Sequence, residues 1–508
     1  MPIIERSADS TITPRESTPK LDIGRLHRWH MQAGLWIALA VILWALSGLG
    51  HPVLSRLNPK PAAMSFPFES LDGAGLIAPA DALAAAGIER FDALRLWQPA
   101  GESPFYRVEA RGTTYWIDAR TGAVRADGDR LWAERLARHY AGDTASPIRD
   151  ARLLLSFNND YHYIDRLLPV WEIAFERPDG LRAYVDPASG RLATLTDRRK
   201  DWTGKLFRWM HSWSPIQSSI WIQGVMLGLL LATAVVASAG LAVYLRLRRR
   251  GALGLARPPA VRWHQRLALP AALVALTLSL SGALHLAVKS WQGDPTAPAP
   301  NLSFDASELR ASVPDLVRAL GTEEQFAALS LTRFEGRSTW IALPLPTAPA
   351  PGAHHGGPAS VPQPLDRYAD AVSGAAIADG AVRHATALAR QHAGRPTGAV
   401  SHMEAVHRFG DGYGFVFKRL PVMAVEFSER PGETWYVETR TGALAAHLTP
   451  LNRLEGWVFS VVHKWSFLDS AVGKASRETL QSIAALALAL TVALGLSRHI
   501  SRWRKRTA

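Results

Sequence analysis

Four stretches of about twenty or more apolar residues, near 31–50, 217–245, 267–288 and 476–497, constrain the fold of this 508-residue chain more than any other feature. A helix rises 1.5 Å per residue, so each stretch is long enough to cross the roughly 30 Å hydrocarbon layer of a bilayer. The apolar content of 48% is therefore carried unevenly. The pattern is that of a polytopic membrane protein in which spans alternate with soluble segments.

A net charge of +13 would suit a nucleic-acid binder, but the placement of the charge points elsewhere. Arg246, Arg248, Arg249, Arg250, Arg257, Arg262 and Arg266 crowd the short link between the second and third stretches, and Arg498, Arg502, Arg504, Lys505 and Arg506 follow the fourth. With Lys20, Arg25 and Arg28 before the first, the positive-inside rule places both termini and the central link in the cytoplasm. The two long inter-span segments then lie on the other side, and lipid rather than nucleic acid is the expected surface partner. The first apolar run is full length and lacks a small-residue cleavage site, so it is expected to stay as an anchor rather than leave as a signal peptide. The chain has no cysteine. Disulfides, iron–sulfur clusters, thiol chemistry and thioether-linked haem are thereby excluded.

The chain reads as one unit written twice. Arg28-Trp29-His30 returns as Arg262-Trp263-His264, and Leu46-Ser47-Gly48 ahead of His51 returns as Leu280-Ser281-Gly282 ahead of His285, both at an offset of 234 (264 − 30 and 285 − 51). His211-Ser212-Trp213-Ser214 returns as His463-Lys464-Trp465-Ser466 at an offset of 252 (463 − 211). In each inter-span segment a strand-like run enters an acidic turn closed by glycine, at Asp118–Gly122 and Asp186–Gly190, then at Asp370–Gly374 and Glu438–Gly442. The 18-residue difference between offsets matches a Pro/Ala/Gly-rich loop around 347–364, which holds His354 and His355 as solvated loop residues. Hairpins are expected at 170–186 and 422–438, and helices near 81–87, 131–140 and 381–392, so each exported segment should be α+β.

Histidines at matching positions in both halves carry the chemistry. His30 and His51 stand 21 residues apart, about 31 Å along a helix and about 60° around it, so one lies at each face of the membrane on a shared side. His264 and His285 repeat this on the third span, and His211 and His463 stand just before the second and fourth. The expected result is two imidazoles at the inner face and four at the outer. A lone histidine at a span edge is usually an interfacial polar residue, but three matched pairs among only 17 histidines are hard to credit to chance. Two neutral imidazoles on opposite sides of a plane suffice as axial ligands of a b-type haem, with helices as apolar walls. Gly48 and Gly282 would admit a flat macrocycle to the backbone. Trp29, Trp263, Trp213 and Trp465 suit interfacial belt anchoring first and stacking on a haem edge second. His27 has no counterpart and reads as interfacial. His139, His162, His392, His402 and His407 read as residues of the soluble segments.

This arrangement of Arg-Trp-His, a span ending in Leu-Ser-Gly and His, aromatic–acidic hairpins and His-x-Trp-Ser resembles the PepSY-associated transmembrane helix family, from about 21 to 506. The resemblance implies an inner-membrane haem protein of a Gram-negative bacterium, similar to siderophore-iron reductases, with periplasmic PepSY-type domains at 52–210 and 289–462. It also implies that His30, His51, His211, His264, His285 and His463 are the haem-ligand candidates.

The expected architecture is a membrane α-helical bundle of four transmembrane helices in two tandem repeats with two periplasmic α+β PepSY-like domains. In order these are a cytoplasmic tail (1–24), a span (25–51), a domain (52–210), a span (211–246), a basic cytoplasmic loop (247–263), a span (264–288), a second domain (289–462), a span (463–497) and a basic tail (498–508). The expected activity is that of an oxidoreductase with two or three b haems, carrying electrons from a cytoplasmic donor to a periplasmic ferric siderophore. Ferrous iron binds hard oxygen ligands weakly, so one electron releases it. With no GxGxxG opening a βαβ unit, the donor must be a separate molecule. Two rivals predict a colourless protein or a relay: a PepSY-type binding or regulatory module, and a transporter using histidines for protons or metal. The spans lack the intramembrane acids and mid-depth breaks that a transporter would need.

Overall fold

The computed structural model describes residues 22–507 except 72, 215, 254–256, 322–324, 346–363, 395–396 and 411; at 51, 53–55, 217 and 498–507 it describes the backbone alone. The loop expected around 347–364, with His354 and His355, therefore falls almost wholly outside the described residues. The chain divides into two compact units, one formed by the stretches up to Pro52, Trp209–Leu286 and from Val458 onward, the other by Val53–Arg208 and Ala287–Trp457.

The first unit holds four helices long and apolar enough to cross a membrane, with apolar stretches at Ile23–Gly50, Ile220–Arg249, Pro259–Gln292 and Ser466–Ser497. They are called the first to fourth spans below. Large side chains such as Trp36 (84% exposed) and Leu39 (69%) point outward, as in a helix solvated by lipid. The interior is made of small and branched residues: Val41, Ala45, Val236, Ala271, Ala275 and Ala489 pack together. Small side chains let helix backbones approach closely, which is the main source of helix association where no hydrophobic drive operates. Several hydroxyls inside the spans are satisfied within their own helix, Thr233 on the Leu229 carbonyl, Thr277 on Leu273, Ser281 on Thr277 and Thr491 on Ala487.

The second unit is built on an antiparallel sheet of eight strands, to which both inter-span segments contribute. From one edge the order runs Ala376–Ile377, Arg367–Asp370, Arg337–Pro344, Phe326–Phe334, then Ala93–Trp97, Phe105–Ala110, Thr113–Asp118 and Val124–Arg125. The two segments meet at the centre, where Leu329 pairs with Leu96 and Ser330 with Arg95. Strand residues on one face, including Leu96, Tyr106, Ile117, Leu329 and Trp340, bury against the short helices Pro79–Ala85 and Val313–Leu320. On the other face Trp97, Trp116 and Ile341 pack with Trp132, Leu136 and Tyr140 of helix Gly128–Ala141. Alternation along each strand thus feeds two separate cores. Each segment adds a four-stranded antiparallel sheet, Ile148–Leu154 to Arg191–Thr196 and Val400–Val406 to Ala443–Leu448, and helix Gly380–His392 packs on the latter. The helices and hairpins expected from sequence form, with the helices shifted by one to three residues at their ends.

All four acidic turns adopt the expected form, with Gly122, Gly190, Gly374 and Gly442 at φ of 75°, 68°, 74° and 79°, where a Cβ would be strained. In three of them the aspartate caps its own turn, as when Asp118 accepts from the Arg120 and Thr121 amides at 2.9 and 2.8 Å. Glu438 has a longer arm and does something different. Fully buried, it pairs with Arg191 and with Arg419, each at 2.6 Å, and accepts from the Thr441 hydroxyl. The two guanidiniums hold its carboxyl well below the usual range against the opposing effect of burial. Arg191 comes from the first inter-span segment and Glu438 from the second, so this buried network ties the two together.

Candidate haem-ligating histidines

His30 in the first span and His264 in the third face one another across the first unit, their ring centres 6.5 Å apart and tilted by 51°. Two imidazoles on opposite sides of one metal ion, at bonds of about 2.0–2.1 Å and with about 1.1 Å from ring centre to nitrogen, would have centres about 6.3 Å apart. The observed separation is close to that distance. Each ring is held from behind in the same way. His30 Nδ1 lies 3.0 Å from the Val236 carbonyl of the second span, and His264 Nδ1 lies 2.9 Å from the Thr491 carbonyl of the fourth. A carbonyl only accepts, so Nδ1 carries the proton and Nε2 the lone pair, a tautomer that can bind a metal through Nε2.

The seats of these rings depend on two glycines. A Cβ at Gly240 would lie 2.7 Å from Cε1 of His30, and one at Gly495 would lie 3.4 Å from Cε1 of His264. Both histidines line a cavity of about 220 Å³ walled by Val236, Ala271, Leu488 and other apolar residues of all four spans. His27, Tyr244 and Gln265 also line it, so His27 belongs to this site and not only to the interface. Trp29 and Trp263 are 43% and 51% exposed and are not among the lining residues, and Arg266 lies 5.0 Å over the Trp263 ring. Their placement suits belt anchoring.

His211 lies within one π-helical turn, Arg208–Ser212, and His463 ends another, Phe459–His463, a departure from α-geometry that recurs at functional sites. Two residues on, Trp213 and Trp465 take φ of 56° and 53°. Bulky residues rarely adopt this left-handed conformation, and the local strain places each histidine at the mouth of its span. The serine of each Leu-Ser-Gly run meets the imidazole, Ser47 at 3.0 Å from His211 Nδ1 and Ser281 at 2.9 Å from His463 Nδ1. Each hydroxyl already donates its single proton to a carbonyl of its own helix, Ser47 to Trp44 and Ser281 to Thr277. Each serine must therefore accept from Nδ1–H, which again leaves the lone pair on Nε2.

The backbone at these turns is tied differently in the two cases. Trp44 Nε1 donates to the His211 carbonyl at 3.0 Å and stacks on Trp213, with ring centres 5.8 Å apart. Gln481 donates to the His463 carbonyl at 3.1 Å, and the buried Arg477 donates to the Lys464 carbonyl at 2.9 Å. His285 does not face His463 directly, because Phe459 is stacked between them at 4.4 and 4.8 Å. His463 also lies within electrostatic reach of His211. The side chain of His51 lies outside the described residues. Gly282 makes only ordinary contacts, with Leu230 and His463, and a Cβ at Gly48 would meet open space.

Several of these partners went unread in the sequence. Val236, Thr491, Gly240 and Gly495 share one offset of 255 (491 − 236 and 495 − 240), and Phe207 and Phe459 stand four residues before His211 and His463. Among the described residues no group of three or more His, Asp or Glu comes together as a chelating cluster. Comparison with known proteins found no family model that matches the chain and no curated relative.

Proposed function

We propose that this is a duplicated membrane bundle that binds b-type haem through its matched histidines and carries electrons from a cytoplasmic donor to a periplasmic ferric chelate of the siderophore class. The observation that carries the reading is the inner pair: two imidazoles 6.5 Å apart, each fixed by its Nδ1 on a backbone carbonyl. Bound haem would supply a one-electron iron couple at a depth where no side chain of this chain could. His30 and His264 would bind it, the carbonyls of Val236 and Thr491 orient the ligands, and the apolar walls of the cavity keep water out.

At the other end of the spans Ser47 and Ser281 would orient His211 and His463 in the same manner. Phe459 fills the space between His285 and His463, so these two would serve different irons, with His463 paired to His211. The likeness in sequence to the PepSY-associated transmembrane helix family supports the tandem organisation and a periplasmic position for the second unit, which would receive the ferric chelate.

Proteoliposomes test this function. With the protein oriented in sealed vesicles, an impermeant reductant on the side of the termini should reduce a ferric hydroxamate chelate on the other side, read by a ferrous-specific dye. Vesicles in which the haem is reduced but the chelate across the membrane is not would contradict the proposal.

A further inference from the structure

We infer that the basic end of the helical bundle is a docking surface for an acidic soluble protein; its role as electron donor rests on the function proposed above, but the surface itself does not. Arg246, Arg248, Arg249 and Arg250 close the second span, and Arg257 and Arg266 flank the start of the third; all six are exposed. Among the described residues none of them has a carboxylate within ion-pair distance, and the one ion pair at this end is Arg25 with Asp22 at 4.0 Å. Between 245 and 266 and from 498 onward the sequence has twelve Lys and Arg residues and no acidic one. This is a field of one sign that the protein leaves uncompensated.

Topology alone asks for a few such residues, and anionic lipid headgroups could meet those at the membrane surface. The fourth helix, however, continues to Thr507, ten residues beyond the end of its apolar stretch at Ser497. Ten helical residues extend about 15 Å, whereas the headgroup layer is roughly 5–8 Å thick on each side. The helix backbone of that extension runs past the headgroup layer into the range of a soluble partner, and its sequence there includes Arg502, Arg504, Lys505 and Arg506. The surface also lies over the inner histidines. Arg28, Arg262 and Arg266 are two residues in sequence from His30 and His264, and the cavity of that pair is lined by His27, Leu247 and Leu496 at the same end. An acidic carrier drawn to this face would be brought up to the cavity mouth. It would give up one electron per encounter, with no proton required. Steering by such a field raises association rates by about 10–10³-fold and is screened by salt.

The test uses the full chain in nanodiscs of neutral phosphatidylcholine, with reduced bacterial flavodoxin as the acidic one-electron probe. Binding of flavodoxin should be measurable and should weaken at least about tenfold between roughly 0.01 and 0.3 M salt. The triple variant Arg248→Gln, Arg249→Gln, Arg250→Gln keeps Arg246, Arg257 and Arg262 for topology and should lose binding several-fold. Haem reduction by flavodoxin should fall in parallel, while reduction by a small neutral reductant stays constant. Binding that is salt-independent, absent, or unchanged in the variant would overturn the inference, as would a variant defect confined to anionic lipid. A colourless protein that still binds flavodoxin with this salt dependence would sink the haem reading and leave the surface standing.

Discussion

At the scale of single residues, the site depends on what stands behind each imidazole. Gly240 is the sharpest case, because a methyl group there would overlap the His30 ring at 2.7 Å, while one at Gly495 would press His264 only at 3.4 Å. Gly240→Ala should therefore lose most of the haem absorbance assigned to the inner pair, and Gly495→Ala should retain it, as read by haem-to-protein ratio at equal folded yield. Equal behaviour of the two variants would count against the geometry. Ser281→Ala removes the acceptor for His463 Nδ1–H, and loss of such an outer partner typically costs about 10–100-fold in metal affinity. A haem titration of the variant that matches the parent would show the serine to be idle.

The histidines themselves were legible in the sequence because a rare residue recurred within matching motifs. Their supports were not. Val236 and Thr491 act through backbone carbonyls, which leave no mark in side-chain identity, and Gly240 acts through the side chain it lacks. His27 has no counterpart in the other half, so its sequence reads only as interfacial, yet it lines the cavity. The serines of Leu-Ser-Gly were visible only as part of a repeated word, since their proton count matters only once the partners are known.

Among elements, the four spans and most hairpins could be read from period and turn chemistry, while the π-helical turns could not. Nothing in Arg208–Ser212 or Phe459–His463 forbids an α-helix; the departure comes from how each turn meets Trp213 or Trp465 and the neighbouring span. Helix Gly380–His392 carries a testable detail. His384 is 2% exposed, its Nδ1 lies 3.0 Å from the Tyr368 hydroxyl, and burial pushes its pKa down to about 4. Folding thus favours the neutral ring, and the unfolded chain binds the extra proton once pH falls below about 6.5. The stabilisation is whole above that value and is lost as pH drops towards 4, about 2 kcal/mol by pH 5. Thermal unfolding of the second unit should show this loss between pH 7 and 5, and His384→Phe should flatten that part of the profile. An unchanged profile in the variant would place the dependence elsewhere.

For the molecule as a whole, the sharing of one eight-stranded sheet by two segments far apart in sequence could not be foreseen, because strand periodicity does not say which strand is the neighbour. The same holds for Glu438, which looked like a fourth copy of an acidic turn and instead joins the segments through Arg191 and Arg419. Removing its charge strands two guanidiniums in a buried site, so Glu438→Gln should destabilise the second unit by about 3–5 kcal/mol. Asp118→Asn, at an exposed turn of the same form, should cost far less, and comparable losses in the two variants would deny the network its special role.

Whether the inner pair binds haem is decided most directly by an absorption spectrum of the purified, detergent-solubilised protein, oxidised and reduced. Bis-imidazole b-type bands should be present, and a distinct fraction of them should vanish in His30→Ala and in His264→Ala alike. Full retention of haem in both variants, or a colourless protein from haem-replete cells, would contradict it.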